Sequence, residues 1–89
     1  MAIGVITDVA GLTRQQYETL HEQVTPGNQA PPGLLYHAAG PSATGWCVVE
    51  VWESQEAIDR FFQQHGATFQ RAGAVAQPIF FEVSTIMQP

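Results

Sequence analysis

Apolar runs separated by turn-forming residues divide the chain into predicted strands and helices. The β-branched stretch from Ala2 to Val9 predicts a buried first strand. The next segment is predicted to be a helix, because apolar and ring-bearing side chains recur in it at the spacing of one helical face. These side chains are Tyr17, Leu20, His21 and Val24. Thr13 and Gln16 have the spacing of a capping box, which places the start of this helix beside Thr13.

The middle of the chain predicts a loop followed by a β-hairpin. The stretch from Thr25 to Gly33 contains three prolines and two glycines, so we expect it to lack regular hydrogen bonding. Two strands are predicted after it, from Leu34 to Ala39 and from Trp46 to Glu53. The turn between them is predicted over Gly40 to Gly45.

The register of this hairpin decides which side chains share a face. In its second strand Trp46, Glu50 and Trp52 lie on one face, because side chains alternate along a strand. If His37 pairs with Val48, His37 joins that group. A shift of one residue would move His37 to the other face of the sheet.

A second helix and a last strand are predicted in the remainder of the chain. Ser54 is a favourable N-cap for the helix. Its inward face carries Ile58, Phe61, Phe62, His65 and Phe69. We expect Gly66 to bend or break this helix, and we expect a final strand from Ile79 to Met87 after Pro78.

The order of these elements predicts the fold class. A β-α-β-β-α-β chain is typical of the ferredoxin-like α+β fold, with a four-stranded antiparallel sheet and two helices on one face. At 89 residues the chain is long enough for a single domain, residues 1–89. The face that the helices leave open is also apolar, so we expect a second copy to cover it in a homodimer.

Composition and charge exclude several classes of function. Charged residues make up 12% of the chain, lysine is absent, and the net charge is -5, so nucleic acid and anionic membranes are poor partners. The single cysteine, Cys47, cannot form an intrachain disulfide or a thiolate zinc site. No basic leader or long apolar run is present, and we therefore predict a cytoplasmic protein.

Three segments of the chain resemble a known superfamily. The segments 33–41 and 45–57, with Arg60 and Phe61, are similar to the dimeric α/β-barrel superfamily near its antibiotic biosynthesis monooxygenase-like branch. The resemblance implies a homodimeric barrel with a ligand cavity between the sheet and the helices of each subunit. It also implies one of several activities, among them cofactor-independent oxygenation of aromatic polyketides, haem degradation and polyketide cyclisation.

The haem-degrading activity fits this chain poorly. That branch relies on an asparagine in the first strand and on a tryptophan and a histidine in the second helix. Here the first strand has no asparagine, and Phe61 and Arg71 stand near the other two positions. We therefore expect no haem and no other cofactor, and no nucleotide-binding motif is present.

The candidate catalytic residues are two histidines and a glutamate. The three histidines of the chain are all predicted to point inward, and an imidazole can accept and return a proton near neutral pH. We assign the proton acceptor to His37 or His65 and its carboxylate partner to Glu50. The alternatives are a histidine bonded to a backbone carbonyl and a glutamate paired with Arg60 or Arg71. The histidines lack the short spacing of a metal site.

Aromatic side chains predict a pocket for a flat apolar ligand. The residues assigned to binding are Tyr36, Trp46, Trp52, Phe61, Phe62 and His21. The hypothesis is a cofactor-independent monooxygenase-like enzyme acting on an aromatic or polyketide-like molecule. The alternatives are a cyclase or isomerase that uses the same histidine without oxygen, and a dimer that binds a small molecule without catalysis.

Overall fold

The computed structural model describes residues 1–74 and 76–89. The strands are β1 (Ile3–Ala10), β2 (Leu34–Pro41), β3 (Gly45–Trp52) and β4 (Ile79–Glu82), and the helices are α1 (Arg14–Val24) and α2 (Gln55–Arg71). The strands form one antiparallel sheet in the order β2-β3-β1-β4. The predicted ferredoxin-like α+β fold is confirmed.

Helix α1 begins and ends as the sequence predicts. The Thr13 side chain accepts a hydrogen bond from the Gln16 backbone, and the Gln16 side chain accepts one from the Thr13 backbone, which completes the capping box. The loop after α1 was expected to be irregular throughout, but Pro26–Asn28 forms a short 3-10 turn. Gly27 and Asn28 adopt positive φ angles of 70° and 57°, which glycine and asparagine tolerate best.

Helix α2 runs unbroken through Gly66, so the helix does not break there, which was one of the two predicted outcomes. A glycine inside a helix costs only about 1 kcal/mol relative to alanine. Ser54 caps the start of the helix by accepting a hydrogen bond from the Ala57 backbone. Phe61 and Phe69 pack towards the core on either side of Gly66, and their burial holds the 17-residue helix together.

Strand β4 ends at Glu82, five residues before the predicted end at Met87. Its partner strand explains the difference, because Glu82 pairs with Ile3 at the very start of β1. Beyond this pair a hydrogen bond from the Val83 backbone to the Ala2 carbonyl is the last contact with the sheet.

The β2–β3 hairpin has a different register from the predicted one. His37 lies opposite Glu50 rather than Val48, a shift of two residues that keeps both side chains on the helix-covered face. Tyr36 lies opposite Val51 on the other face of the sheet, because it directly precedes His37 and side chains alternate along a strand.

The core lies between the sheet and the two helices. Its largest fully buried side chains are Trp52, Ile58 and Val5. The other face of the sheet is open in this chain and carries exposed apolar side chains. These are Ile6, Tyr36, Ile79 and Phe81. The ring of Phe81 lies directly over Gly4, where any larger residue would collide with it.

Candidate active site

A cavity of about 410 Å³ opens between the sheet and the two helices. Its volume lies within the range of small-molecule sites, roughly 300–1,000 Å³. Aromatic side chains form much of the wall, namely Phe61, Phe62, Phe69 and Phe80. Among the described residues, the titratable side chains that line it are Tyr17, His21, His37 and Glu50. The site is therefore an apolar chamber with one polar wall.

His37 and Glu50 form a hydrogen-bonded pair on that wall. The distance from His37 Nδ1 to Glu50 Oε2 is 2.9 Å, and the two side chains are 23% and 13% exposed. The second carboxylate oxygen, Oε1, accepts a hydrogen bond from the Trp52 indole at 3.2 Å. Glu50 thus fixes the orientation of the imidazole.

Tyr17 of α1 joins this pair to a second histidine. Its hydroxyl oxygen lies 2.7 Å from His37 Nε2 and 3.4 Å from His21 Nδ1. His21 Nε2 in turn lies 2.7 Å from the side-chain oxygen of Asn28. A continuous chain of hydrogen bonds thus runs from the exposed turn after α1 to the buried indole of β3.

The partners of the two imidazoles show which ring nitrogen carries the proton in each neutral histidine. Glu50 only accepts, so the proton of neutral His37 is on Nδ1 and its Nε2 accepts from the Tyr17 hydroxyl. The Asn28 oxygen also only accepts, which places the proton of neutral His21 on Nε2 and leaves Nδ1 bare.

The Tyr17 hydroxyl keeps its proton near neutral pH. Its pKa is raised from the model-compound value of 10.0, chiefly because the side chain is partly desolvated and also because the negative charge of Glu50 opposes ionisation. Tyr17 is therefore a neutral hydroxyl that can donate one hydrogen bond and accept another.

The two tryptophans predicted to bind ligand do not line the cavity. Trp46 stacks behind Tyr17 with ring centroids 5.2 Å apart, and the guanidinium of Arg14 lies 5.1 Å from the Trp46 ring. Trp52 is fully buried behind Glu50. Both therefore support the polar wall from behind and do not contact the cavity.

The remaining predicted site residues divide between the cavity and its surroundings. Phe61, Phe62 and His21 line the cavity as expected. His65 does not, because it packs against Phe61 with ring centroids 4.8 Å apart. Tyr36 is 56% exposed on the opposite face, because it directly precedes His37 in β2 and side chains alternate along a strand.

The sequence gives little sign of the central position of Tyr17. Its place on the inward face of α1, four residues before His21, is readable from the helical period. The contact between Tyr17 and His37 joins residues 20 positions apart and depends on how α1 lies across the hairpin. Asn28 enters the site through the unpredicted 3-10 turn.

Residues 1–74 and 76–89 contain neither a cluster of metal ligands nor a membrane-spanning helix. Within these ranges no group of three histidine, cysteine or acidic side chains is placed to hold a metal ion. No helix there has the length and apolar character needed to span a bilayer.

Comparisons with solved structures identify the fold. The chain is similar to SnoaB, a cofactor-independent oxygenase from Streptomyces nogalater, with a TM-score of 0.69, 14% identity, and coverage of 99% of this chain and 97% of that one. It is also similar to Rv0793 from Mycobacterium tuberculosis, with a TM-score of 0.75, 14% identity, and coverage of 99% and 100%.

A third similar structure contains a ligand. The ActVA-Orf6 monooxygenase of Streptomyces coelicolor, in complex with nanaomycin D, matches with a TM-score of 0.58, 23% identity, and coverage of 99% of this chain and 91% of that one. No protein-family model and no curated protein matches the sequence. The structural neighbours are thus antibiotic biosynthesis monooxygenase-like proteins, and the ferredoxin-like α+β fold of the subunit is confirmed.

Proposed function

We propose that this protein is a cofactor-independent monooxygenase-like enzyme that oxidises an aromatic or polyketide-like molecule in the cavity. The observation that carries the proposal is the bonded group Tyr17–His37–Glu50 on the wall of an apolar chamber. The description of SnoaB as a cofactor-independent oxygenase supports it.

The cavity selects its ligand by shape and charge. A flat ring system can stack on the phenylalanines of α2 and β4 and gain apolar contact. No lysine or arginine is among the described residues that line the cavity, and Glu50 lies on its wall. A neutral substrate is favoured over a carboxylate, because a buried anion would have no cation to pair with.

His37 is assigned as the proton acceptor. A substrate with an acidic phenol, enol or ring methylene group loses a proton to His37 Nε2, directly or by way of the Tyr17 hydroxyl. Glu50 stabilises the imidazolium that forms, through the hydrogen bond to Nδ1. The apolar walls exclude water from the resulting carbanion or enolate.

Dioxygen then acts as the oxidant. For a ring methylene, the electron pair of the carbanion forms a bond to oxygen, and the peroxide anion recovers the proton from His37. Loss of the second C–H proton with hydroxide, together as water, leaves a ketone. The carbon gives up four electrons and dioxygen takes up four, so no further reductant is needed.

The alternative enzyme activity is cyclisation or isomerisation without oxygen. The same pair can move a proton between carbon and oxygen, because His37 accepts and the neutral Tyr17 hydroxyl donates. A dimer that only binds the ligand is the outcome if neither reaction occurs.

We further propose that residues 1–89 act as one domain and form a homodimer in the cytoplasm. The exposed apolar side chains on the open face of the sheet support the dimer. A second copy of the same face would cover them by two-fold symmetry.

Conversion of model compounds under air and under nitrogen tests the function. The panel contains an anthrone, a hydroquinone and a linear polyketide-like chain, and product masses are compared for the wild type, His37→Gln and His65→Gln. The expected result is oxygen insertion under air that falls about a hundredfold or more in His37→Gln, the usual contribution of a general base. His65→Gln should stay active, because His65 lies outside the cavity lining.

Other outcomes redirect the assignment. Equal conversion under nitrogen would favour the cyclase or isomerase. A loss of activity in His65→Gln alone would return the proton acceptor to α2. Retained ligand affinity without any product would indicate a binding protein.

A further inference from the structure

The Tyr17 hydroxyl has two bare imidazole nitrogens within reach and a single proton to give. The shorter contact, 2.7 Å, is to His37 Nε2, and the longer one, 3.4 Å, is to His21 Nδ1. While His37 is neutral, the proton of Tyr17 satisfies Nε2, and His21 Nδ1 receives only the weaker contact.

Protonation of His37 reverses this bond. The new N–H at Nε2 must donate, and the oxygen 2.7 Å away is that of Tyr17. The hydroxyl proton of Tyr17 is then displaced and needs another acceptor, because a partly buried hydroxyl without one carries a desolvation cost. His21 Nδ1 is the acceptor in reach.

We propose that His21, acting through the Tyr17 hydroxyl, is a positioning residue that stabilises the protonated form of His37. Asn28 prepares His21 for this role, since its side-chain oxygen accepts from Nε2 and keeps Nδ1 bare. The consequence of this role of His21 for catalysis rests on the proposed function, in which the substrate's proton resides on His37 during the reaction. The bond reversal itself requires no substrate.

The groups around His37 come from three elements. The titratable side chains that face it are Tyr17 and His21 from α1 and Glu50 from β3. Helix α2 presents only uncharged side chains to the cavity, among them Phe61, Phe62 and Phe69. A change at His21 can therefore reach His37 in two ways, through the Tyr17 bond or as a direct effect of charge.

These two effects shift the pH midpoint of the His37 titration in opposite directions. Removing a hydrogen-bond acceptor for Tyr17 destabilises protonated His37, so the pH midpoint of its titration should fall. Removing a second imidazole that can itself become positive relieves repulsion, so the midpoint should rise.

Nuclear magnetic resonance titration of the histidine rings, without substrate, separates the two. His21→Phe keeps a stacking ring beside Tyr17 but has no acceptor. His21→Asn places an amide oxygen close to the former position of Nδ1. Each variant is measured with Tyr17 and with Tyr17→Phe, and His65→Phe on α2 is the control.

The expected result is a lower His37 midpoint in His21→Phe, equivalent to a loss of proton affinity of up to about tenfold. His21→Asn should restore the midpoint, and the effect of His21→Phe should vanish with Tyr17→Phe. The control should leave His37 unchanged. An unchanged or raised midpoint in His21→Phe, or the same fall without the hydroxyl, overturns the proposal.

A second variant covers failure of His21→Phe to fold. Asn28→Gly suits the positive φ angle at this position and frees His21 to carry its proton on Nδ1. The midpoint of His37 should then fall, and no fall overturns the proposal. A lowered midpoint without substrate conversion would refute the proposed enzyme alone, whereas conversion with an unaltered midpoint would refute only the role of His21.

Discussion

Glu50 engages both of its carboxylate oxygens, one with His37 and the other with the Trp52 indole. Its charge also acts on Tyr17, where it is the second cause of the raised pKa after desolvation. One carboxylate therefore orients the imidazole of His37 and helps to keep the neighbouring hydroxyl neutral.

Ionisation of Tyr17 provides a direct test of this arrangement. The tyrosinate absorbance of the wild type minus that of Tyr17→Phe reports Tyr17 alone, and its midpoint is expected above 10, the ordinary value. Glu50→Gln should lower the midpoint only in part, because desolvation is the larger cause. If Glu50→Gln leaves the ionisation midpoint of Tyr17 unchanged, the effect assigned to the Glu50 charge is contradicted.

The raised pKa of Tyr17 also predicts that the protein becomes less stable at alkaline pH. The pKa of Tyr17 is higher in the folded than in the unfolded chain, so its contribution is fully present below pH 10.0 and is lost as pH rises through the folded pKa.

Asp8 predicts the opposite behaviour in acid. Hydrogen bonds from Ser42, and then from Thr44, lower its pKa below 3.8 and hold the β2–β3 turn to β1. Its contribution to stability is present above pH 3.8 and is lost as pH falls through the folded pKa. The free energy of unfolding of the wild type should therefore fall more steeply as the pH drops below neutral than that of Asp8→Asn, which lacks this carboxylate.

The control for this experiment is Glu18→Gln on the exposed side of α1. Within the described structure Glu18 makes none of these hydrogen bonds, so its removal should leave the acid dependence as in wild type. Identical acid profiles for wild type and Asp8→Asn would contradict the role of the turn.

Helix α2 illustrates how packing outweighs local preference. Gly66 lies in its interior, and an added Cβ would meet no heavy atom within 4 Å. Gly66→Ala should therefore raise the free energy of unfolding by up to about 1 kcal/mol. Thermal or denaturant unfolding measures the change.

A second glycine supplies the matched control. Gly73 also has free space around it, but its φ angle of 69° is one that alanine adopts only with strain. Gly73→Ala should lower the free energy of unfolding by about 1 kcal/mol. Equal effects of the two substitutions would refute the conformational explanation.

The sequence predicts the identity and order of the elements better than their limits. Periodicity and caps are local, so the starts of α1 and α2 could be placed from Thr13 and Ser54. The end of β4 could not, because it depends on where β1 begins. The sequence predicts that His37 and Glu50 share a face of the sheet, but it does not predict that they lie directly opposite each other.

The candidate site was predictable in part for the same reason. Side-chain alternation places Glu50 and His37 on one face, and a register shift of two residues leaves them there. The same alternation places Tyr36, which directly precedes His37, on the opposite face. The contact of Tyr17 with His37 arises only when helix and hairpin pack together.

The open face of the sheet leads to a prediction about assembly. Ile79 is 64% exposed on the edge strand β4, beside Ile6 on this apolar face. Ile79→Glu should convert the proposed dimer to a monomer, because two-fold symmetry brings the new charge into the interface twice. Sedimentation velocity measures the change.

A control variant and the mass of the wild-type particle complete the test of the dimer. Gln63→Glu adds the same charge to the exposed side of α2 and should leave the dimer intact. A wild-type protein that sediments as a monomer would refute the proposed homodimer and leave the open face without its assigned partner.

The groups proposed to transfer protons and the apolar walls of the cavity belong to different elements. His37 and Glu50 are held opposite each other by the backbone ladder of the hairpin, with Tyr17 supplied by α1, whereas Phe61, Phe62 and Phe69 belong to α2. Substitutions on α2 can therefore reshape the chamber while the hairpin keeps the reacting groups in register. For the proposed enzyme, this separation would let variation in one helix change which molecules are accepted while the reacting groups stay in place.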